Sequence, residues 1–154
     1  MVSVVYFDTS ALVKRYLAET GSEWVRACLR GSTVRVFTSL LTAIEGVCTF
    51  SRRRREELLS PDEQRQVSAT FDYDLTYRYT LVGLEPRTMD AARQMAERHP
   101  LRAYDAVQLA TAWLLNQDLL DSGQAPLTFV CADDRLIAMA RTEGLLTENP
   151  NRHP

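Results

Sequence analysis

Four acidic side chains, Asp8, Glu45, Asp105 and Asp133, fall where a strand gives way to a helix, where a helix begins, or at the border of an apolar helical stripe. Val2, Val4, Val5, Tyr6 and Phe7 form a β-branched and aromatic run that reads as a buried strand, and it stops at Asp8-Thr9-Ser10. Leu127 to Cys131 repeats that arrangement and stops at Ala132-Asp133-Asp134. In open parallel sheets ligands bind in the crevice outside the carboxyl ends of the strands, so acids at two such ends can meet. Carboxylates gathered in one place repel, and each resists ionising unless a cation lies between them. An all-oxygen set favours a hard ion, Mg²⁺ or Mn²⁺, over zinc, which prefers Cys or His. His99 and His153 are the only histidines and neither sits in a motif, so histidine acid–base chemistry is not expected. What remains is metal-assisted attack by water on a phosphoryl group.

Each acid also has a local explanation. Asp, Thr and Ser are favoured helix N-caps, so Asp8, Thr9 or Ser10 could satisfy a free backbone N–H of the first helix. Asp105 lies in a first helical turn, where the dipole favours a carboxylate. Glu45 sits four residues after Leu41 and three before Cys48, at the edge of a stripe, as a boundary glutamate would. The doublet Asp133-Asp134 leaves open whether Asp134 shares the role of Asp133 or only occupies the first turn of its helix.

The elements that must position these acids follow from periodicity. A helix with Leu12, Val13, Tyr16 and Leu17 follows the first strand, then one with Trp24, Val25, Cys28 and Leu29, then a strand at Val34 to Phe37. From Ser39 the pattern predicts a helix burying Leu40, Leu41, Ile44, Val47 and Cys48 and running out in Arg52-Arg53-Arg54-Arg55. Ser60-Pro61-Asp62-Glu63 is a capping box opening a helix with Val67, Phe71 and Leu75. A strand at Thr80 to Leu84 and a helix from Pro86 to His99-Pro100 come next, the proline pushing the residue before it out of helical geometry. Asp105 then leads a helix with Val107, Leu109, Ala110 and Trp113. The second acid-ended strand is followed by a helix with Leu136, Ile137 and Ala140, a Gly144 cap, and an edge strand near Leu145-Leu146-Thr147. Alternation of strands and helices implies a three-layer α/β/α sandwich with a central, mostly parallel sheet, one domain over residues 1–148, and a frayed tail over residues 149–154.

With 154 residues, 45% hydrophobic and 25% charged, the chain can bury a proper core. A formal charge of −2 excludes coating nucleic acid by bulk attraction, so any such contact needs a local basic patch. Cys28, Cys48 and Cys131 are widely spaced in apolar surroundings and read as reduced core thiols. The isolated glycines exclude a phosphate-binding P-loop. The first apolar run is too short for a signal peptide and no stretch approaches the roughly 20 apolar residues of a membrane span, so a cytoplasmic protein is expected.

Four segments together carry a family resemblance: Val5-Tyr6-Phe7-Asp8-Thr9-Ser10-Ala11-Leu12-Val13-Lys14, Ser39 to Val47 with Glu45, Tyr104-Asp105-Ala106-Val107-Gln108-Leu109-Ala110, and Phe129-Val130-Cys131-Ala132-Asp133-Asp134-Arg135-Leu136. They resemble, in order and over nearly the whole chain, the acidic motifs of PIN-domain ribonucleases, and within these the VapC toxins of toxin–antitoxin modules. The resemblance implies Mg²⁺-dependent endonucleolytic cleavage of RNA, with Mn²⁺ substituting, inhibition by an antitoxin that inserts near the acidic cleft, and a homodimer. It implies that Asp8, Glu45, Asp105 and Asp133 form the catalytic set and that Asp8, Asp105 and Asp133 hold the metal, Asp8 and Asp105 foremost. Ser10, with Thr9 beside it, would orient a ligand or water. Under this reading Arg52, Arg53, Arg54 and Arg55 become RNA-backbone contacts, with Lys14 and Arg15 flanking the cleft, and Leu12, Tyr16 and Trp24 offer an apolar groove for the antitoxin.

Rival readings are a phosphotransfer enzyme, a housekeeping RNA-processing nuclease, and a non-catalytic binding module. A haloacid-dehalogenase-type phosphatase would want a second Asp two residues after the first, and Ser10 stands there.

Overall fold

The computed structural model describes residues 2–153. Five parallel strands, β1 (Ser3–Phe7), β2 (Val34–Ser39), β3 (Thr80–Val82), β4 (Thr128–Val130) and β5 (Leu146–Glu148), form one sheet in the order β3-β2-β1-β4-β5. The chain builds outward from β1 to β2 and β3, then crosses back to lay β4 on the other side of β1. The direction of winding therefore reverses between β1 and β4, the switch point at which open α/β sheets form their crevice.

Strand alternation divides the core. Tyr6 of β1, Phe37 of β2 and Phe129 of β4 face α5 (Pro86–Arg98), α6 (Ala103–Asp121) and α7 (Asp134–Thr142), with Tyr6 and Phe129 stacked at 5.8 Å. Val5 and Phe7 of β1, Val36 and Val130 face α1 (Thr9–Leu12), α2 (Ser22–Arg30), α3 (Thr42–Arg55) and α4 (Pro61–Tyr77). There Tyr16, Phe50 and Phe71 pack edge to face, centroids 5.3 to 5.9 Å apart. Burial of each ring contributes roughly 2–3 kcal/mol of transfer free energy. The expected three-layer α/β/α sandwich is what forms. No helix among the described residues is long and apolar enough to cross a membrane.

Three expectations are corrected. The stripe of α3 that faces the core is Thr42, Gly46 and Phe50, whereas Leu40, Ile44 and Val47 are 47%, 64% and 47% exposed and Cys48 lies outside. The cause is Gly46: a Cβ there would overlap the Phe71 ring, so the glycine is where α3 and α4 approach most closely. Hydrophobicity pointed to the wrong face because two of the three inward residues, Thr42 and Gly46, are small or hydrogen-bonding, and only Phe50 is a large apolar one. Second, residues 149–153 do not fray. Pro150–Arg152 forms a 3₁₀ turn packed on Gly21 (φ +83°), Asn149 donates to Asp134 Oδ1 at 2.7 Å, and His153 stacks on Trp24 at 4.8 Å. Third, of the three cysteines only Cys131 is a core thiol; Cys28 is half-buried.

Candidate active site

Asp8 ends β1 and caps α1, its Oδ2 accepting from the Ser10 backbone N–H at 3.1 Å and the Ser10 hydroxyl at 2.5 Å. The Cys131 thiol, at the end of β4, lies 3.6 Å from the same oxygen. These bonds fix the carboxylate against the sheet edge, while Oδ1 makes no hydrogen bond among the described residues. Asp8 is buried, and its pKa is pushed up from 3.8 to about 6 by burial first, against the pull of Ser10, with Glu45 and then Asp105 adding their charge. Asp105, in the first turn of α6, is likewise raised, by burial and then by Asp133, with Arg102 and Arg135 pulling the other way.

Glu45 comes to Asp8 from α3 through a network beneath it. Gln108, fully buried on α6 three residues after Asp105, donates Nε2 to Glu45 Oε1 at 2.7 Å and accepts at Oε1 from the Tyr6 hydroxyl at 2.6 Å. The Thr9 hydroxyl lies 3.0 Å from Glu45 Oε1, and Thr42 is within 3.2 Å of Thr9 and 2.7 Å of Thr38, which donates to the Phe7 carbonyl at 2.7 Å. No buried side-chain polar atom among the described residues lacks a partner. A fully satisfied polar network in low dielectric is rigid, which fixes where Glu45 points.

Asp133, at the end of β4 beside Asp8's strand, caps α7 with Oδ1 accepting from Arg135 N at 2.8 Å and Leu136 N at 3.4 Å. Asp134 points away, to Asn149 and Arg152. Asp8, Glu45 and Asp133 thus each commit one oxygen to the scaffold and leave the other free of protein hydrogen bonds among the described residues.

Asp8, Ser10, Glu45 and Asp105 line one cavity of about 590 Å³ with Arg52 and Arg53. Asp105 and Asp133 line a smaller neighbouring one. The four acids therefore form two overlapping groups, Asp8, Glu45 and Asp105 on one cavity and Asp105 with Asp133 on the other, and among the described residues no three acids, histidines or cysteines converge as a ready-made cage. The expected Asp8, Asp105 and Asp133 trio is not gathered in this arrangement, since the cap ties Asp133 to α7. A hard divalent cation still fits the donor set: Mg²⁺ keeps several waters and is commonly held by one or two carboxylates, and Asp8 and Asp105 offer them beside Glu45.

The cations divide sharply. Lys14 is buried, its Nζ bonded to Glu19 Oε1 at 3.1 Å and the Thr20 carbonyl at 2.8 Å, and Arg15 Nε is held by Asp74 Oδ2 at 2.6 Å. Neither is part of the cavity's lining, and each pairs with a carboxylate. Arg53 pairs with Glu19 at 3.1 Å but reaches the cavity with Arg52, while Arg54 and Arg55 are not among its lining. Leu12, Tyr16 and Trp24 do not share the expected apolar groove: Leu12 is fully buried, His153 covers Trp24, and Tyr16, which donates to Asp74 Oδ2 at 2.7 Å, lines a separate cavity with Leu17, Leu58, Leu59 and Val67. Sequence reasoning missed Gln108, Arg102 and Arg135. A glutamine inside the apolar run Ala106 to Ala112 was the available signal for the first.

Residues 5–141 match the PIN domain family. Curated proteins give no significant sequence match. Among solved structures, VapBC2 from Rickettsia felis, bound to a DNA fragment from its promoter, superposes with a TM-score of 0.64 at 12% identity, covering 95% of this chain and 98% of that one. FitAcB from Neisseria gonorrhoeae gives 0.64 at 14%, covering 97% and 99%. VapBC-5 of the VapBC family of toxin–antitoxin systems, from Mycobacterium tuberculosis, gives 0.59 at 15%, covering 96% and 97%. At such identities the likeness is one of fold.

Proposed function

The chain belongs to the PIN domain family, and on that premise we propose that it is a Mg²⁺-dependent endoribonuclease, the toxin of a type II toxin–antitoxin module. The observation that carries this is the placement of Asp8, Glu45 and Asp105 on one cavity at the switch point of the sheet, with Arg52 and Arg53 on its wall.

In this reading Asp8 and Asp105 hold the cation, each through an oxygen not committed to the fold, and Asp133 contributes through its charge on Asp105. The cation supplies a lowered pKa for water and stabilises charge on the phosphoryl and leaving oxygens. Ser10 keeps Asp8 in register by two hydrogen bonds to Oδ2. Glu45, steadied by Gln108 and Thr9 at Oε1, takes the proton of the attacking water at Oε2. Arg52 and Arg53 bind the RNA backbone beside the acids. The antitoxin covers the exposed Leu40, Ile44 and Val47, an apolar face at the cavity's edge that a lone soluble chain has reason to hide. Two copies pairing as a homodimer belongs to the same reading.

Purified chain, freed of any partner, is expected to cleave RNA with Mg²⁺ or Mn²⁺ and to stop with chelator. Cleavage that persists in Asp8→Asn would assign it to a contaminant.

A further inference from the structure

Next to the Asp8 cavity, on the far side of Asp105, lies a half-enclosed cavity of about 140 Å³ whose lining combines Leu101, Leu136 and Met139 with Arg102, Arg135 and Asp133. Its two halves suit different chemistry. Met139 is half-buried and Leu136 buried, giving an apolar wall. Arg102 and Arg135 are exposed, and both lie close enough to Asp105 to draw on its charge. Neither forms an ion pair among the described residues, unlike Arg87, Arg98 and Arg152, which Asp118, Glu143 and Asp134 hold.

Size limits the occupant. A cavity of roughly 150 Å³ has room for a single ring, so this one takes no more than one base. Arginine forks bind phosphate in pairs of hydrogen bonds, and unstacked bases of single strands settle on apolar or aromatic side chains. Since Arg102 and Asp105 line both cavities, a chain threaded through one continues into the other.

We propose that the Arg102–Arg135 cavity is a nucleotide subsite that receives the unstacked base and phosphate of the residue adjoining the scissile bond in single-stranded RNA. The base lies on Leu136 and Met139, and the phosphate sits between the two guanidinium groups. Duplex RNA is excluded, because a paired base cannot leave its stack to enter. This assignment rests on the nuclease reading for the identity of the neighbouring cavity.

The test begins without metal or cleavage. Adenosine 5′-monophosphate is titrated into the full chain in chelator and followed by amide chemical shifts. Shifts are expected at Leu101, Arg135 and Met139, with inorganic phosphate weaker, and affinity should fall about tenfold in Arg102→Ala/Arg135→Ala. Shifts confined to the Asp8 cavity, no binding at millimolar ligand, or equal binding by the double variant would overturn the subsite. In cleavage assays with Mg²⁺, replacing the adjoining nucleotide by an abasic one should raise KM with little change in kcat for the parent chain, and should make much less difference to Met139→Ala, which removes part of the wall the base lies on. A chain that binds the mononucleotide at these residues yet cleaves no RNA keeps the nucleotide site and sinks the nuclease reading, whereas cleavage indifferent to the abasic position does the opposite.

Discussion

Gln108 Nε2 donates to Glu45 Oε1 at 2.7 Å, joining α6 to α3 directly beneath the acidic cavity. The pair is separated by 63 residues in sequence, and the Tyr6 hydroxyl fixes the amide by donating to its Oε1 at 2.6 Å. The amide's orientation is thereby set by the central strand, and the direction of Glu45 by the amide.

Gln108→Leu keeps the volume and removes the tether to α6, leaving the Tyr6 hydroxyl without that acceptor and Glu45 Oε1 held by Thr9 alone. Stability is expected to drop by about 1–3 kcal/mol and kcat for RNA by at least about tenfold with KM nearly unchanged, because the chemistry loses aim while the substrate contacts stay. Tyr6→Phe should reproduce the stability loss with a smaller effect on kcat. Equal losses in both variants would make Gln108 a core residue only. Denaturant melts and steady-state kinetics on both variants decide.

Asp8 binds its proton more tightly in the folded chain than in the unfolded one, about 6 against 3.8. Stability of the cation-free protein is therefore highest where the proton is on, and is lost as pH rises from about 4 through about 6, by up to about 3 kcal/mol at ~1.4 kcal/mol per pKa unit. Asp8→Asn keeps a capping side chain and removes that penalty, so in chelator it should melt above the parent at pH 7 and level with it near pH 4. Adding Mg²⁺ should raise the melting point of the parent alone. A destabilised Asp8→Asn at pH 7 would contradict the burial of an unneutralised charge.

Asp8→Asn and Asp105→Asn should each lose cleavage by a factor of about 100 or more, the scale of a several kcal/mol loss in transition-state stabilisation. Asp133→Asn preserves the α7 cap and should lose less, since Asp133 shares its cavity with Asp105 and not with Asp8. Single-turnover cleavage with circular dichroism on the same samples separates chemistry from folding; Asp133→Asn as inactive as Asp8→Asn would place Asp133 on the cation.

Arg52→Ala/Arg53→Ala should weaken RNA binding and flatten its salt dependence by about two charges, while Arg54→Ala/Arg55→Ala should do little. Lys14→Ala should instead lower stability with no change in salt slope, because its ammonium is spent on Glu19 and the Thr20 carbonyl. Affinity measured across a salt series, alongside thermal melts, tells the two kinds of cation apart.

The order of strands and helices was legible because periodicities of 2 and 3.6 are local. So were the acids at strand ends, because a parallel sheet brings Asp8 and Asp133 to one edge whatever the loops do. Which face of α3 turns inward was not legible. That depends on Gly46 meeting Phe71, a contact between two helices that no single window contains. Lys14 and Arg15 read as free cations for the same reason, their partners Glu19 and Asp74 being identifiable only once the chain has folded back. The likeness of Asp133 to a ligand and its use as a cap coexist because a carboxylate has two oxygens.

β1 lies in the middle of the sheet, yet it precedes the other strands of the described residues while its neighbour β4 comes only after α6, with Val5 paired to Thr128 and the Asp8 N–H bonded to the Val130 carbonyl at 2.9 Å. On the ribosome, one side of β1 stays open until Thr128–Val130 has emerged, and α6 has no complete sheet to rest on.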